Sequence, residues 1–381
     1  MLICESWIEK VAIKLNKDVN EIRLLNYYKP TDITHYKQPL PDNNIHRIHT
    51  ELMQSSEFEE RKQVVEKFNQ ENRWKKRGIA FVPTKFGMSF TVKFMNQAGA
   101  LVHVYVDGSV LVSHGGTEMG QGLHTKIIQI ASKALGISIE KIHISETATD
   151  KVPNTSPTAA SVQSDLNGMA VLNACEQILA RLAPLREENP TLTWEQLVST
   201  AYLNQINLSA QGHYATPNIG FNFENNTGRP FNYFVWGASC SEVEIDVLTG
   251  NYHVIRSDVL MDVGESLNPA IDIGQIEGGF VQGLGWCTLE EIVWFDNGFQ
   301  FTRGPGAYKI PSFNDVPVDF RVSLLKDVKN TRAIFSSKGI GEPPFFLASS
   351  ILFAIKEACR SARLVLFYFS VLLFLLNVYQ K

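Results

Sequence analysis

The sequence predicts an α+β protein with mixed sheets and long packed helices, and three observations carry that expectation. Alternating runs flank Asp107-Gly108, and strand-like segments flank the turn Asp246–Asn251, so two hairpins are expected. Apolar residues recur at helical spacing in Leu123–Ala134, Val162–Ile178 and Phe345–Ala358. The 381 residues, 44% hydrophobic and 19% charged, have room for two or three domains with ample core. A net charge of −4, without a basic excess, argues against nucleic acid and against an anionic membrane surface as partners. Five scattered cysteines with no Cys-x-x-Cys pair fit reduced thiols in a cytoplasmic protein and give no support for an iron–sulfur cluster.

The elements follow in order. Leu2, Ile3, Trp7, Ile8, Val11, Ala12 and Leu15 define one face of a first helix. Acidic residues interrupt that start, so it is no signal peptide. Asp18 and Glu21 have capping-box spacing for a second helix, stopped by Pro30, and Lys29–Asn44 reads as a surface loop. Ile45–Arg73 is helical in period, with Leu52, Phe58, Val65 and Phe68 among solvated charge. Gly78–Val82 reads as a short strand ended by Pro83, and Phe90 in the run that follows reads as core.

The first hairpin leads into His114-Gly-Gly-Thr-Glu-Met-Gly-Gln-Gly, a glycine-rich junction whose backbone N–H groups are offered to an anion. It is neither a Walker loop nor a dinucleotide fingerprint. His114 and His124, on either side of the loop, read as structural rather than as a metal pair. Ile142–Thr147 is a strand, and Asp150–Ser161 a loop entering a long helix. The small residues Thr158, Ala159, Ala160 and Ser161 at its start suit either tight packing or close approach to a cofactor. Pro184–Pro190 reads as a charged linker, Trp194–Leu203 as a short helix, and Ile206–Tyr214, Cys240–Val247 and Tyr252–Val259 as strands. Asn218–Tyr233 is a long loop of a kind often functional. Ile271–Leu284 holds Gly274, Gly278, Gly279 and Gly283, each weakening a helix by roughly 1 kcal/mol, so another backbone or a cofactor must approach closely.

The stretch with most chemistry is Lys338-Gly-Ile-Gly-Glu-Pro-Pro. Gly341 permits close backbone approach, Pro343 disfavours helical geometry at Glu342, and the prolines suit a helix start with a buried face of Phe345, Ala348, Ile351, Leu352, Ile355 and Ala358. A lone carboxylate held this way is either a general base or a helix-start charge complementing the dipole.

Lys338–Phe346, Pro83–Phe90, the glycine-rich loop and Asp150–Ser161 resemble, in order, segments of the xanthine dehydrogenase/aldehyde oxidase family of molybdenum hydroxylases. The resemblance runs from about Met1 to Arg363. It implies three parts: 1–44, the remnant of a first molybdenum-cofactor domain; 45–363, the second molybdopterin-binding domain; and 364–381, a divergent apolar tail. That tail is too short for a confident span, which needs about 20 apolar residues. The resemblance also implies a molybdenum ion held by molybdopterin and by no side chain, with Gly120, Gln121, Gly122, Ala159, Ser161 and Gln275 at the cofactor. Phe90, Thr91 and Ala160 would meet a purine, and Pro83–Phe90 resembles the xanthine dehydrogenase branch. Glu342 would act as base on a molybdenum-bound hydroxyl in the hydroxylation of hypoxanthine and xanthine to urate.

In the complete family enzyme FAD and two [2Fe–2S] clusters carry the electrons onward and the enzyme is a homodimer. Those cofactor domains, and most of the first molybdenum domain, have no counterpart in this sequence. The chain alone is therefore expected to be inactive, in a cytoplasmic or peroxisomal setting. An aldehyde oxidase fragment and a non-catalytic truncated product are the alternatives.

Overall fold

The computed structural model describes residues 1–29 and 31–366. The stop expected at Pro30 and the apolar tail from residue 367 onward lie outside the described residues.

Two four-stranded sheets carry the fold. Helices α1 (Leu2–Leu15), α2 (Val19–Asn26), α3 (Ile45–Ser55) and α4 (Phe58–Glu71) precede the long strand β1 (Lys75–Met88). The expected hairpin follows as β2 (Gln97–Val104) and β3 (Val110–His114), joined through Gly108 at φ 85°. Next come α5 (Leu123–Leu135), the short strand β4 (Ile142–Ile144), α6 (Gln163–Glu188), α7 (Trp194–Leu203) and β5 (Ser209–Ala215). A small hairpin, β6 (Gly220–Asn222) and β7 (Thr227–Arg229), leads to β8 (Tyr233–Asp246) and β9 (Tyr252–Asp262). The chain then runs through α8 (Pro269–Thr288) and β10 (Asp319–Leu324) to α9 (Ser349–Leu366). One sheet has the order β1-β8-β9-β10 and the other β4-β3-β2-β5; β10 and β4 run parallel to their neighbours, so both sheets are mixed.

Alternation along β8 shows how the first sheet is covered on both faces. Phe234, Trp236, Ala238 and Cys240 join the core formed with Ile48 and Leu52 of α3 and with Phe58 and Val65 of α4. On the opposite face Val235 and Val243 join the main core with Ile351 and Ala354 of α9. The helices lie hard against the strands. A Cβ on Gly78 of β1 would sit 1.9 Å from the Ala354 carbonyl oxygen, and one on Gly212 of β5 would sit 2.0 Å from that of Ala170 on α6.

Several expectations need correction. Most of the apolar face of α1 points outward: Ile3 is 68% and Trp7 65% exposed, and of that face Ala12 alone is buried, beside Glu5 and Glu9. The helix is held by ion pairs, Glu5 to Arg23 at 2.8 Å and Glu9 to Lys356 and Arg360. The helical stretch 45–73 is two helices, broken where Glu57 takes a left-handed φ of 55°. Pro83 does not end its strand, because β1 is an edge strand paired only to β8, where a missing N–H is tolerated. Pro184 lies inside α6 rather than in a linker. It and Ala180, whose carbonyl it cannot bond, are both on the exposed side, while Leu182 and Leu185 keep the helix anchored in the core. The loop 218–233 contains the β6–β7 hairpin, and the first residue of β8 is Tyr233.

Candidate active site

The starts of α5 and α6, the middle of α8 and the segment before α9 enclose a cavity of about 500 Å³. Gln121, Ala159, Ala160, Ser161, Gln275 and Glu342, far apart in sequence, all line it. Gly120, Gly122, Phe90 and Thr91 are not on its wall. Phe90 follows the end of β1, half-buried against the main core, with its N–H donated to the Asn96 side-chain oxygen at 3.0 Å and its carbonyl accepting the Asn96 amide at 2.9 Å. Thr91 is exposed.

Glu342 is placed by its backbone. Its N–H donates to Ser161 Oγ at 2.8 Å. Ala160 and Ser161 both hold left-handed backbone, at φ 56° and 57°, just ahead of α6 rather than in its first turn. Such geometry in a non-glycine residue costs of order 1–3 kcal/mol and persists only where surroundings enforce it. Gly339 and Gly341 supply the surroundings: a Cβ on Gly339 would lie 2.2 Å from the Ser161 carbonyl oxygen, and one on Gly341 2.8 Å from Ser161 Oγ. The carboxylate of Glu342 is half-buried and has no hydrogen bond or ion pair among the described residues. Behind it, buried Lys338 donates to Asp262 at 2.8 Å and to the Phe234 carbonyl at 3.1 Å, pinning the segment to the end of β9. Pro343 and Pro344 form a turn, a 3₁₀ turn follows over Phe345–Ala348, and α9 begins at Ser349. Its buried side is Ile351, Ala354 and Ala358, with Leu352 and Ile355 only partly covered.

The glycine-rich loop satisfies itself. The carboxylate of Glu118 accepts from the N–H groups of Gly120 at 3.0 Å, Gly122 at 2.9 Å and His124 at 2.9 Å. Burial would raise the Glu118 carboxyl, but these three donors outweigh it and hold it below the usual carboxylate range. Three of the amides at this junction are thus occupied from within. Gln121 is folded back as well, its amide donating to the Thr117 carbonyl at 2.8 Å. Thr117 N–H donates to Thr158 Oγ1 at 2.9 Å, which ties the α5 and α6 starts together. His114 and His124 meet ring to ring at 3.0 Å between nitrogens, and burial with His124 beside it pushes His114 down to about 4. No cluster of three or more His, Cys, Asp or Glu side chains able to hold a metal occurs among the described residues.

Helix α8 explains its glycines in two ways. A Cβ on Gly283 would lie 2.1 Å from the Phe345 carbonyl oxygen, and one on Gly279 3.2 Å from Pro344, so these two admit the glutamate segment. A Cβ on Gly274 or Gly278 would have no atom of another segment within 4 Å, and Gly278 is on the cavity wall. No protein contact requires it to be glycine. Sequence reasoning missed several further residues. Gln163, Gln282 and Lys126 line the cavity, and Lys126 is paired to buried Asp272. The glutamines carried no motif. The Lys126–Asp272 pair spans 146 positions, beyond the reach of local pattern.

A family model described as a molybdopterin cofactor-binding domain matches residues 51–317, and the chain belongs to that family. It is 60% identical to xanthine dehydrogenase of Dictyostelium discoideum over 96% of this chain, and 58% identical to xanthine dehydrogenase/oxidase of Mus musculus over 95%. The chain spans 27% of the length of each of these relatives. Among solved structures, an aldehyde oxidoreductase from Desulfovibrio desulfuricans ATCC 27774 is similar at TM-score 0.79 and 25% identity, over 94% of this chain and 38% of that one. Quinoline 2-oxidoreductase from Pseudomonas putida 86 shares the fold at TM-score 0.81 and 22% identity, over 93% of this chain and 48% of that one.

The cavity suits a pterin cofactor. The amides of Gln275 and Gln282 have no partner among the described residues, so their donors and acceptors are available to a heterocycle's polar edge. The small residues Ala159, Ala160 and Gly278 leave room beside them. The start of α6 faces the cavity without a side-chain cap and favours an anionic group, whereas Glu118 already fills the start of α5. No helix among the described residues is long and apolar enough to cross a membrane.

Proposed function

We propose that this chain is the molybdopterin-binding part of a xanthine dehydrogenase-type hydroxylase, with Glu342 as its general base. One observation carries the reading: a single cavity lined by Gln121, Ala159–Ser161, Gln275 and Glu342. When bound, the molybdenum cofactor would supply oxygen transfer and two-electron acceptance in the hydroxylation of hypoxanthine and xanthine to urate. The amides of Gln121 and Gln275 would hold the pterin, Gln121 by leaving the Thr117 carbonyl it now bonds. Ala160 leaves space for a substrate ring. A carboxylate with no protein partner, fixed by its backbone, takes a proton at an Oε without first breaking another contact. Phe90 and Thr91 keep their assignment as aromatic face and hydroxyl for the purine on resemblance alone. FAD, two [2Fe–2S] clusters and a homodimer would belong to the longer enzyme, in the cytoplasm.

The test is a chimaeric enzyme in which this chain replaces the matching part of the Dictyostelium relative. The chimaera is expected to carry molybdenum and convert xanthine to urate, and the chain alone to form none. A folded, molybdenum-loaded chimaera that oxidises aldehydes but not xanthine would move the reading to an aldehyde oxidase, and one without molybdenum would sink it.

A further inference from the structure

We propose that Tyr233 is a positioning residue for Glu342, acting through the backbone of Gly339; this rests on Glu342 being the base. Tyr233 opens β8 and is 2% exposed. Its oxygen accepts the Gly339 N–H at 2.9 Å, and its O–H donates to Asp165 Oδ2 at 2.5 Å. The direction is fixed, because a backbone N–H can only donate and the phenol proton must therefore point to Asp165. Asp165, on the first turn of α6, is itself held by the Ile334 N–H at 3.0 Å.

Gly339 packs closely on the start of α6. It is wedged against the Ser161 carbonyl, where an added Cβ would lie at 2.2 Å. Ser161 in turn accepts the Glu342 N–H at 2.8 Å. The start of α6 thus grips the glutamate segment twice, at Gly339 through Asp165 and Tyr233, and at Glu342 through Ser161. Removing the phenol oxygen leaves the buried Gly339 N–H without its partner and frees one of the two grips, so the segment shifts to recover a hydrogen bond. A small shift of a base relative to a reacting ring lowers turnover far more than binding.

In the chimaeric enzyme Tyr233→Phe is expected to retain molybdenum and KM for xanthine while kcat falls about tenfold. The control is Ser241→Ala, which removes equally buried hydroxyl contacts of β8, to Ser257 at 2.8 Å and Ser350 at 2.7 Å. It should lower the unfolding midpoint and leave kcat alone. An unchanged kcat in Tyr233→Phe, with only the midpoint lowered as in Ser241→Ala, overturns the proposal. Should Tyr233→Phe not accumulate, Asp165→Leu replaces it, keeping the phenol but removing the acceptor that orients it. The same loss of kcat at constant KM is expected, and full kcat overturns the proposal. Failure of the underlying reading looks different: Glu342→Gln would then turn over normally.

Discussion

Glu342→Gln in the chimaeric enzyme is expected to lower urate formation roughly 10²–10⁴-fold, the usual contribution of a general base, with molybdenum content unchanged. The substitution is nearly isosteric, and the geometry explains why it should not disturb the fold. Glu342 is held by its N–H on Ser161, by the glycines on either side of Ile340 and by Lys338 behind, none of which involves its carboxylate. The side chain has no hydrogen-bond partner among the described residues to lose. Loss of activity with full metal content therefore isolates the proton transfer. A near-normal rate would remove Glu342 from the chemistry.

The second large effect is on folding. Lys338→Met is expected to destabilise the chimaera by about 3–5 kcal/mol, because it leaves Asp262 as an uncompensated buried charge. Lys338 is 1% exposed and Asp262 0%, so water cannot take over the lost partner. Asp262 keeps the Asn44 amide at 2.8 Å and the Gly264 N–H at 3.0 Å, neither of which supplies a positive charge. The double variant Lys338→Met, Asp262→Asn should recover part of the loss, since removing both charges removes the unpaired one. Thermal unfolding measures this: a single variant with an unchanged midpoint, or a double variant worse than the single, contradicts the role given to the pair.

Much of the fold was legible because its signals are local. The hairpin at Asp107-Gly108, the Asp18 cap of α2, and the helical periods of α5 and α6 are each set within a few residues. What was hidden depends on distant partners. The apolar stripe of α1 reads as a core face until Arg23, Lys356 and Arg360 are seen to capture its acidic side instead. Pro83 reads as a strand end unless β1 is known to be an edge. The parallel strand β10 pairs with β9 across a long connection and left no pattern that distinguished it. At the site, spacing identified the glycine-rich loop but not that Glu118 would fill it. The glutamate segment was legible from Gly341, Glu342 and Pro343, whereas its supports Asp165, Tyr233 and Asp262 come from separate elements and carried no motif of their own.

The central claim, that the cavity before α9 holds the molybdopterin, is tested most directly by filling it. Gly278 lines the cavity and a Cβ added there would have no atom of another segment within 4 Å, so a side chain is admitted at its root, and Phe suits a helix interior better than glycine. Bound pterin and molybdenum per chain should be measured in the Gly278→Phe chimaera beside the parent. The account predicts an unchanged unfolding midpoint with pterin and molybdenum lost together. Full cofactor content in a folded Gly278→Phe enzyme would contradict it.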